Sequence, residues 1–360
     1  MSRKKILYLM HIDWRWIKQR PHFIAEGLSE YYQVKVVYFH SKHFLPTTNI
    51  NTNKSTLKIT PAFRLPFYQN KWIYKINKVF MQFYFKFLIK KYKPDFIWIT
   101  FPQMYDYIPS DLNCKIIYDC MDLATGFGFS NEFKSKIKII ESKLVENASI
   151  IFASSNYIFN DLKIKHRCDN KMFLIRNAFS GEIIDSVEEN PKTDEIVKIG
   201  YVGTISKWVD FEKIKNTLNK FKNVEYHLIG PWEVKNHLKN NKIKIHGVVD
   251  YNEIYNYVRD LDCLIVPFTL DKKIKSADPG KIYGYINYNK PIISVYYEEL
   301  DYFSKFVYFY SNINELQDLM TKMIKKGFKK KYSSEERIKF LKENSWEIRV
   351  KKIIKCLNNL

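Results

Sequence analysis

The sequence has 360 residues, of which 46% are hydrophobic and 27% are charged. This length and composition exclude a disordered tail, a collagen-like repeat and a polar linker, and they predict two domains with buried cores. The net charge of +21 favours an anionic partner such as a nucleic acid, an acidic membrane surface or a phosphorylated substrate, although AT-rich coding would also enrich lysine and basic composition alone selects none of them.

Short apolar runs alternate with helical patterns through the first half of the chain. The apolar runs predict strands at residues 6–10, 34–39, 96–100, 115–118, 150–154 and 172–175. The intervening segments predict helices at residues 21–32, 72–92, 132–147 and 157–165. Nearly continuous apolar strands separated by helices indicate a parallel sheet that is covered on both faces.

A polar and acidic stretch at residues 181–194, with Pro191 as a breaker, interrupts this alternation and marks the domain boundary. Beyond it, strands are predicted at residues 198–202, 225–229, 244–248, 263–268, 292–295 and 307–310. Helices are predicted at residues 211–221, 251–258, 279–288 and 313–325, with two more from residue 335 onward. The predicted architecture is α/β, with two doubly wound, Rossmann-like domains at residues 1–185 and 186–335 and C-terminal helices at residues 336–360.

Five cysteines are widely spaced without a Cys-x-x-Cys pair, at Cys114, Cys120, Cys168, Cys263 and Cys356. This spacing excludes a disulfide framework and a zinc site, and it indicates a reduced setting. The first apolar run is too short for a signal peptide. The longest apolar-rich stretch, residues 72–89, contains three lysines, which a membrane-spanning helix rarely tolerates. We therefore expect a cytoplasmic protein without a transmembrane helix.

The segment Ser-Ala-Asp-Pro-Gly-Lys, which ends at Lys281, has the features of a phosphate site at a helix N-terminus. Asp278 is a good N-cap, and Pro279 suits the first helical position. Gly280 lets a ligand approach the backbone closely, and Lys281 adds a positive charge where the helix dipole already favours anions. The alternative is a well-capped helix that carries a solvated lysine.

A second glycine motif, Gly-Tyr-Val-Gly-Thr-Ile-Ser-Lys, follows the first predicted strand of the second domain and ends at Lys207. Ligands bind in loops at the carboxyl ends of parallel strands. Gly203 permits close approach of a phosphate, Lys207 is long enough to reach it, and Asp210 can cap the helix that follows. Because the spacing lacks the third glycine of a dinucleotide-binding loop, an ordinary tight turn is the alternative.

Two carboxylates, Asp119 and Asp122, come at the end of the predicted strand 115–118. They are placed to orient a sugar hydroxyl, to act as a base, or to cap the following turn. The Asp-x-Asp at Asp260 and Asp262 precedes its strand, so we interpret it as a helix end and assign no metal. The eight histidines form no His-x-x-x-His pair, which leaves no sequence signal for zinc.

The predicted helix at residues 72–89 is apolar over most of its circumference. Its polar residues fall at spacings of three and four along one narrow, mostly basic stripe, which consists of Lys75, Lys78, Gln82 and Lys86. Such a helix either packs deeply in a core or lies partly against lipid. With the basic net charge, the second possibility predicts peripheral binding to the anionic inner face of the cytoplasmic membrane.

Nine short motifs follow one another along nearly the whole chain. They are Gln19-Arg20-Pro21-His22, Tyr118-Asp119-Cys120-Met121-Asp122, Arg176-Asn177-Ala178, the run from Gly200 to Ser206, Leu228-Ile229-Gly230-Pro231, His246-Gly247-Val248-Val249, Val266-Pro267-Phe268, the run from Ser276 to Lys281, and Asn289-Lys290-Pro291-Ile292-Ile293. The ordered set resembles the GT-B glycosyltransferases of the retaining family 4, in particular the branch that assembles bacterial polysaccharides.

This resemblance implies two Rossmann-like domains that face a central cleft, with C-terminal helices that cross back to the first domain. It implies a nucleotide-sugar donor held mainly by the second domain and an acceptor that enters from the first. The catalytic residues would be Asp122, Lys207 and Lys281. The donor would contact Gly203, Thr204, Asn177, Gly230, Val248, Ser276, Asp278, Gly280 and Lys281. The acceptor side would contain Asp13, Arg20, His22 and Asp119.

Two positions depart from the family pattern. Three residues after the lysine of the Pro-x-Lys motif, the family usually has a glutamate that holds the donor ribose, and this chain has Gly284. The histidine that often precedes the aspartate after the fifth strand is replaced by Met121. The first departure bears on donor affinity and nucleotide identity, and the second removes one contact to the transferred sugar.

We therefore predict an enzyme that transfers a sugar from a nucleotide-diphosphate donor, with UDP as the first choice, to a lipid-linked or oligosaccharide acceptor. Its pathway would be cell-surface polysaccharide synthesis, such as capsule or lipopolysaccharide. The two departures leave open a second function, a non-catalytic glycosyltransferase-like subunit that binds a partner enzyme or a glycan. Nucleic-acid binding rests on charge alone, so no nucleic-acid partner is expected. No cofactor or metal is expected beyond the nucleotide-sugar substrate.

Overall fold

A computed structural model describes residues 3–40, 56–110, 114–184, 196–234 and 240–360. The chain divides into two compact units, Met1–Asn177 with Trp346–Leu360, and Ala178–Ser345. Each unit is built around one parallel sheet. The prediction of two doubly wound α/β domains is therefore confirmed.

The strands of the first unit are β1 (Lys5–Met10), β2 (Gln33–Phe39), β3 (Leu57–Ala62), β4 (Phe96–Ile99), β5 (Lys115–Cys120), β6 (Ile150–Ala153) and β7 (Met172–Leu174). Its first helices are α1 (Arg20–Leu28), α2 (Lys71–Tyr92), α3 (Pro102–Tyr105), α4 (Asn131–Asn147) and α5 (Asn156–His166). The strands pair in parallel in the order β3-β2-β1-β4-β5-β6-β7. The strand order reverses between β1 and β4, which is where ligands bind in such sheets.

The strands of the second unit are β8 (Val197–Val202), β9 (Val224–Ile229), β10 (Ile243–Gly247), β11 (Cys263–Val266), β12 (Ile292–Val295) and β13 (Val307–Tyr310). Its helices are α6 (Phe211–Lys220), α7 (Ile254–Val258), α8 (Lys272–Ser276), α9 (Gly280–Asn287), α10 (Ile313–Lys326) and α11 (Ser334–Glu343). The parallel order is β10-β9-β8-β11-β12-β13. The order reverses between β8 and β11, so the carboxyl end of β8 is the expected ligand position.

Strand β3 was not predicted from the sequence. Its sequence Leu-Lys-Ile-Thr-Pro-Ala contains Pro61, which cannot donate a backbone hydrogen bond. The structure tolerates the proline because β3 is the edge strand of its sheet and pairs with β2 alone. An edge position follows from tertiary structure, which a single sequence does not reveal.

The boundary between the units lies earlier than the predicted position 185. The segment after Ala178 bonds to the second unit, where the Phe179 N–H donates to the Asn344 carbonyl at 2.8 Å. The Ile184 N–H donates to the side-chain oxygen of Asn287 at 3.1 Å. In a free linker these backbone groups would bond to water. Here they bond to residues of the second unit, so the segment folds with that unit. The remainder of the predicted linker lies outside the described residues.

The two C-terminal helices belong to different units, whereas the sequence predicted that both return to the first. Helix α11 stays with the second unit, because the buried guanidinium of Arg337 donates to the Asn287 carbonyl at 2.8 Å. The last helix, α12 (Trp346–Asn358), belongs to the first unit. There Trp346 stacks on Phe23 of α1 at a centroid distance of 5.3 Å.

Helix α2 turns part of its polar stripe inward and much of its aromatic surface outward. Lys78 donates to the Asp106 carboxylate at 2.7 Å, and Gln82 donates to the Asp106 carbonyl at 3.3 Å. The large apolar side chains left exposed on this helix are Trp72, Ile76, Val79, Phe80, Phe83 and Phe87. The interpretation of α2 as a helix buried deeply in a core is therefore wrong.

Candidate functional site

Three glycines close the loops at the carboxyl ends of β8, β9 and β10. Gly203, Gly230 and Gly247 have φ of 135°, 138° and 72°, in the backbone region that favours glycine. The Gly203 N–H donates to the Ile229 carbonyl at 2.8 Å, and the Gly230 N–H donates to the Gly247 carbonyl at 2.7 Å. The three loops are thus held against one another through their backbones.

Gly230→Ala should lower the free energy of unfolding by about 2–4 kcal/mol, because strain and overpacking add at this position. The new Cβ would lie 2.7 Å from the carbonyl carbon of Gly203, on a residue with φ of 138°. The matched control is Gly284→Ala in α9, where a Cβ meets nothing within 4 Å and stability should be unchanged or slightly raised. Urea unfolding measures both variants, and equal stabilities would contradict the close packing of the loops.

Helix α9 begins at Gly280, one residue later than the sequence predicted. Its N-cap is Pro279, with φ of −80° and ψ of 90°, and no side chain caps the first turn. The predicted cap, Asp278, is buried, and its carboxylate accepts a hydrogen bond from the Tyr283 hydroxyl at 3.4 Å. The extended backbone of Pro279 delays the helix and separates the Asp278 carboxylate from the first turn. An uncapped N-terminus favours an anionic ligand.

The ammonium group of Lys281 lies against two aromatic rings. Its Nζ donates to the Tyr201 hydroxyl at 2.6 Å, and it lies 4.1 Å from the centre of the Tyr201 ring and 4.6 Å from that of Phe268. In the described part of the chain, no carboxylate pairs with it. Burial lowers the pKa of Lys281 to about 7. A half-buried cation that has ring contacts and no carboxylate partner among the described residues is suited to receive an anion.

Gly203 lies directly beside this ammonium group. A Cβ at Gly203 would stand 3.0 Å from Lys281 Nζ, so the glycine keeps the space next to the charge open. In the same loop, the Thr204 carbonyl accepts from the Tyr201 hydroxyl at 2.9 Å, and Lys207 is exposed. The structure therefore brings together the two motifs that the sequence singled out separately.

The remaining donor-side candidates have different surroundings. Ser276 is buried, and its hydroxyl donates to the Lys273 carbonyl of its own helix at 2.8 Å, so it ends α8 and does not face solvent. Gly280 and Val248 are exposed. Asn177 belongs to the first unit, where its carbonyl accepts a bond at 3.4 Å from a guanidinium of α12. Of this group, Gly280 and Val248 are open to a ligand.

The sequence analysis missed Tyr285, which ties α9 to the end of β8. Its hydroxyl accepts from the Val202 N–H at 2.7 Å and donates to the Val202 carbonyl at 3.1 Å. Lys281 and Tyr285 are four residues apart, so helical spacing already places them on one face of α9. That spacing was the signal in the sequence, and the partner on β8 is supplied by the fold.

In the first unit, the predicted acceptor-side residues Arg20 and Asp119 form a buried ion pair. Arg20 Nη2 and Nε donate to Asp119 Oδ1 at 2.7 and 3.0 Å, and Nη1 donates to the Ile175 carbonyl at 2.6 Å. The residues are 4% and 0% exposed. The pair joins α1, β5 and the segment after β7. Because each charge has its partner inside the protein, we reassign both residues to a structural role.

His22 was also predicted on the acceptor side, and it caps α1 instead. Its Nδ1 accepts from the Gln19 N–H at 3.3 Å, so in the neutral ring Nε2 carries the proton and donates to the Trp14 carbonyl at 3.0 Å. Burial lowers the pKa of His22 to about 4. The imidazole is therefore neutral at physiological pH, so it does not act as a general acid there.

The last two candidates of the first unit are Asp13 and Asp122. Asp13 is 3% exposed, and its carboxylate accepts from the Arg15 side chain at 2.8 and 3.0 Å. Asp122 is half-buried in the loop after β5, where its carbonyl accepts from the Cys120 thiol at 3.7 Å. The Asp13 carboxylate is thus bound by Arg15 within the first unit, whereas Asp122 remains partly exposed to solvent.

Metal sites and membrane spans were sought in the described residues. None of the described His, Cys, Asp and Glu side chains form a group of three or more that could hold a metal ion. Within the same ranges, no helix combines the length and the apolar character needed to cross a bilayer.

Comparison with known proteins gives one curated relative and many solved structures. No family model matches the chain. The putative teichuronic acid biosynthesis glycosyltransferase TuaH of Bacillus subtilis (strain 168) is 24% identical over 221 residues, which are 55% of this chain and 54% of that protein. The match thus spans about half the length of the curated relative.

Solved structures match over nearly the whole chain. Sucrose-phosphate synthase from Thermosynechococcus elongatus has a TM-score of 0.76 at 11% identity and covers 99% of both chains. HepE from Anabaena, in complex with UDP and glucose, has a TM-score of 0.69 at 13% identity and covers 99% of this chain and 100% of its own. The chain has the GT-B fold.

A third GT-B structure, the lipopolysaccharide outer core galactosyltransferase WaaB in its apo form, has a TM-score of 0.67 at 12% identity and covers 99% of both chains. The homologue and these structural neighbours are glycosyltransferases. The predicted GT-B fold class is therefore confirmed, and membership in family 4 stays a prediction.

Proposed function

We propose that this chain is a glycosyltransferase that moves a sugar from a nucleotide-diphosphate donor to an acceptor in cell-surface polysaccharide synthesis. The observation that carries this proposal is Lys281, a half-buried lysine at the start of α9 and beside the open backbone of Gly203. Among the described residues, no carboxylate pairs with it. Support comes from the similarity to TuaH, which is described as a teichuronic acid biosynthesis glycosyltransferase, and from the similarity to HepE structures that hold UDP or UDP-glucose. We take a UDP-sugar as the donor.

The residues of the second unit would act on the leaving diphosphate. Negative charge grows on the diphosphate as its bond to the sugar breaks, and a positive group held in place beforehand favours that charge. Lys281 and the uncapped first turn of α9 provide such a positive end, and Lys207 is exposed in the neighbouring loop. Asp122 is our proposal for orienting the transferred sugar. Retention of its configuration rests on the resemblance to family 4 alone.

The proposed acceptor is a lipid-linked or oligosaccharide molecule. A lipid-linked acceptor is held in a membrane, so we place the enzyme at the inner face of the cytoplasmic membrane as a peripheral protein. The net charge of +21 suits the negative surface potential of that leaflet. Capsule and lipopolysaccharide are the polysaccharide classes that we propose first.

Two measurements test the proposed activity. UDP should raise the melting temperature, and the rise should continue with the logarithm of the UDP concentration above the dissociation constant, because a ligand that binds the folded state stabilises it. A UDP-sugar should then be hydrolysed slowly without acceptor and transferred faster with one. A folded protein that binds neither UDP nor other nucleotide diphosphates would contradict the proposal.

A second candidate function is a non-catalytic, glycosyltransferase-like subunit, which Gly284 favours. The family's ribose-binding glutamate is absent at this position, and both neighbouring tyrosines, Tyr283 and Tyr285, are buried with their hydroxyls bonded inside the protein. Neither tyrosine therefore replaces the glutamate in this structure. Binding of UDP-sugars without hydrolysis or transfer, over several donors and acceptors, would favour the subunit.

UDP binding should be accompanied by proton uptake above about pH 7. Burial lowers the pKa of Lys281 to about 7 in the empty site, and a bound diphosphate favours the charged lysine, so binding raises this pKa. Below pH 7 the lysine is already charged and adds no pH dependence. Above pH 7 the affinity should fall by up to about tenfold per pH unit, until the raised pKa is reached.

Calorimetry in buffers of different ionisation enthalpy measures this uptake directly. The control is Lys281→Met, which keeps an unbranched apolar side chain between the rings and removes the titrating group. Proton uptake that persists unchanged in this variant would assign the proton to another group.

A further inference from the structure

The chain between Glu30 and Asp95 has an extreme charge pattern. Residues 31–94 contain twelve Lys and Arg and no Asp or Glu, so this stretch alone contributes +12 of the net charge of +21. Helix α2 lies within it and contains six lysines. The exposed lysines of α2 are Lys71, Lys75, Lys86, Lys90 and Lys91.

Helix α2 also carries an exposed apolar stripe. Trp72, Ile76, Phe80, Phe83 and Phe87 are 58–72% exposed, and their spacings of four, four, three and four residues place them on one face of a helix. The opposite face is buried through Tyr74, Asn77, Met81, Phe85 and Leu88. Contiguous exposed apolar surface of this kind marks an interaction site in a folded protein.

The orientation of α2 is set by polar contacts on its inner face. Tyr74 and Lys78 donate to the Asp106 carboxylate at 2.8 and 2.7 Å. Asn77 accepts from the Leu65 N–H at 2.8 Å and donates to the Leu65 carbonyl at 3.2 Å. Rotating the aromatic stripe inward would break all of these bonds, so its exposure is a built feature of the fold.

The loop that precedes α2 extends the same apolar surface. Phe63, Leu65 and Phe67 are 60%, 49% and 79% exposed. Phe67 has a φ of 56°, a left-handed conformation that is costly for a bulky residue and tends to persist at functional positions. The loop follows the carboxyl end of β3, so the apolar surface begins at the end of the sheet where ligands bind.

We propose that this surface, the exposed stripe of α2 together with residues 63–67, docks on a lipid bilayer with anionic headgroups. The helix would lie in the plane of the interface, with its rings among the acyl chains and its lysines at the phosphates. A second copy of the chain is disfavoured as the occupant, because a symmetric contact would bring two lysine-rich, acid-free faces together.

The docking surface also bears on the acceptor of the proposed glycosyltransferase, and this part of the inference rests on the proposed function. An enzyme docked through residues 63–67 holds the ligand end of its first sheet at the membrane, so the acceptor class that fits is a lipid-linked molecule. A free oligosaccharide would gain nothing from such docking.

Co-sedimentation with vesicles tests the docking surface. At low salt, the protein should bind vesicles of phosphatidylglycerol and phosphatidylcholine and should bind pure phosphatidylcholine vesicles weakly. Phe83→Asp with Phe87→Asp should lower the partition coefficient by about tenfold or more per substitution. The matched control is Ile164→Asp on α5, which is 79% exposed and should bind as the wild type does.

A second set of variants tests the charge. Replacing Lys86, Lys90 and Lys91 by Gln should weaken binding to anionic vesicles by up to about fivefold per lysine and should flatten its salt dependence. The control set replaces three lysines at the end of α10 by Gln, namely Lys322, Lys325 and Lys326, and should change binding little.

Three outcomes would overturn the docking proposal. They are absence of binding to anionic vesicles at low salt, unchanged binding of the Phe83 and Phe87 variant, and a dimer in sedimentation equilibrium that the same variant dissociates. UDP titration distinguishes this failure from failure of the proposed activity, because the surface variants should keep wild-type UDP affinity. If the protein binds vesicles but neither binds UDP nor transfers a sugar, the docking surface is supported and the proposed glycosyltransferase activity is contradicted.

Discussion

Lys281→Ala should lower kcat/KM for sugar transfer by about 100-fold or more, because it removes a preorganised positive charge beside the leaving diphosphate. The melting temperature should not fall with it. Loss of solvation lowers the pKa of this half-buried lysine to about 7, so its charged form is unfavourable in the empty protein. Steady-state kinetics with a UDP-sugar and thermal unfolding measure the two effects separately.

Three further variants define the role of this charge. Lys281→Arg should recover part of the activity, because its planar guanidinium presents the charge differently from a compact ammonium. Lys207→Ala should lower transfer in the same direction and by less, since Lys207 is exposed. The control is Lys325→Ala on α10, also exposed, which should be near neutral in both measurements. Wild-type kcat/KM in Lys281→Ala at an unchanged melting temperature would disprove the phosphate site.

Asp119→Ala should lower the free energy of unfolding by about 3–5 kcal/mol, because it leaves the buried guanidinium of Arg20 without its counter-ion. The carboxylate is fully buried and accepts hydrogen bonds from Arg20 at 2.7, 3.0 and 3.3 Å. Replacing both partners by apolar side chains, Arg20→Met with Asp119→Leu, should cost much less than the single substitution. Urea unfolding of the three proteins gives the free energies.

The same variants distinguish a structural role from the acceptor-side role that the family resemblance implied. An acceptor contact would make Asp119→Ala lower transfer while leaving stability within about 0.5 kcal/mol of the wild type. A double variant as unstable as the single one would also speak against the ion pair as the source of the effect. Either result would return Arg20 and Asp119 to the list of ligand-binding candidates.

Much of the fold was predictable because buried parallel strands are short apolar runs. Of the thirteen strands in the described residues, twelve were predicted within a few residues, and the exception, β3, contains Pro61. A proline argues against a strand unless that strand lies at an edge, and the edge is visible only once the strands are ordered. The unit boundary differs from the predicted position for a similar reason, since residues 179–184 bond to residues of the second unit that are more than 100 positions away in the sequence.

The candidate site was predictable in part. Glycine and lysine at the ends of strands and the starts of helices have a direct physical meaning, so Gly203 and Lys281 were found from local sequence. Their contact was not, because it requires β8 and α9 to be neighbours. The rings of Tyr201 and Phe268, which contact the ammonium group, come from two further positions of the chain.

The sequence by itself determined the alternation of strands and helices, the glycine loops, the Lys281 helix start and the acid-free composition of residues 31–94. These features depend on neighbours within one or two turns of the chain. Tertiary structure decided that Arg20 pairs with Asp119, that Asp278 does not cap α9, and that Asp106 holds the polar side of α2 inward. Each of these outcomes depends on which side chain the fold places beside a buried polar group. A buried polar group forms a hydrogen bond with a partner that is close in space, whatever the distance between the two along the sequence.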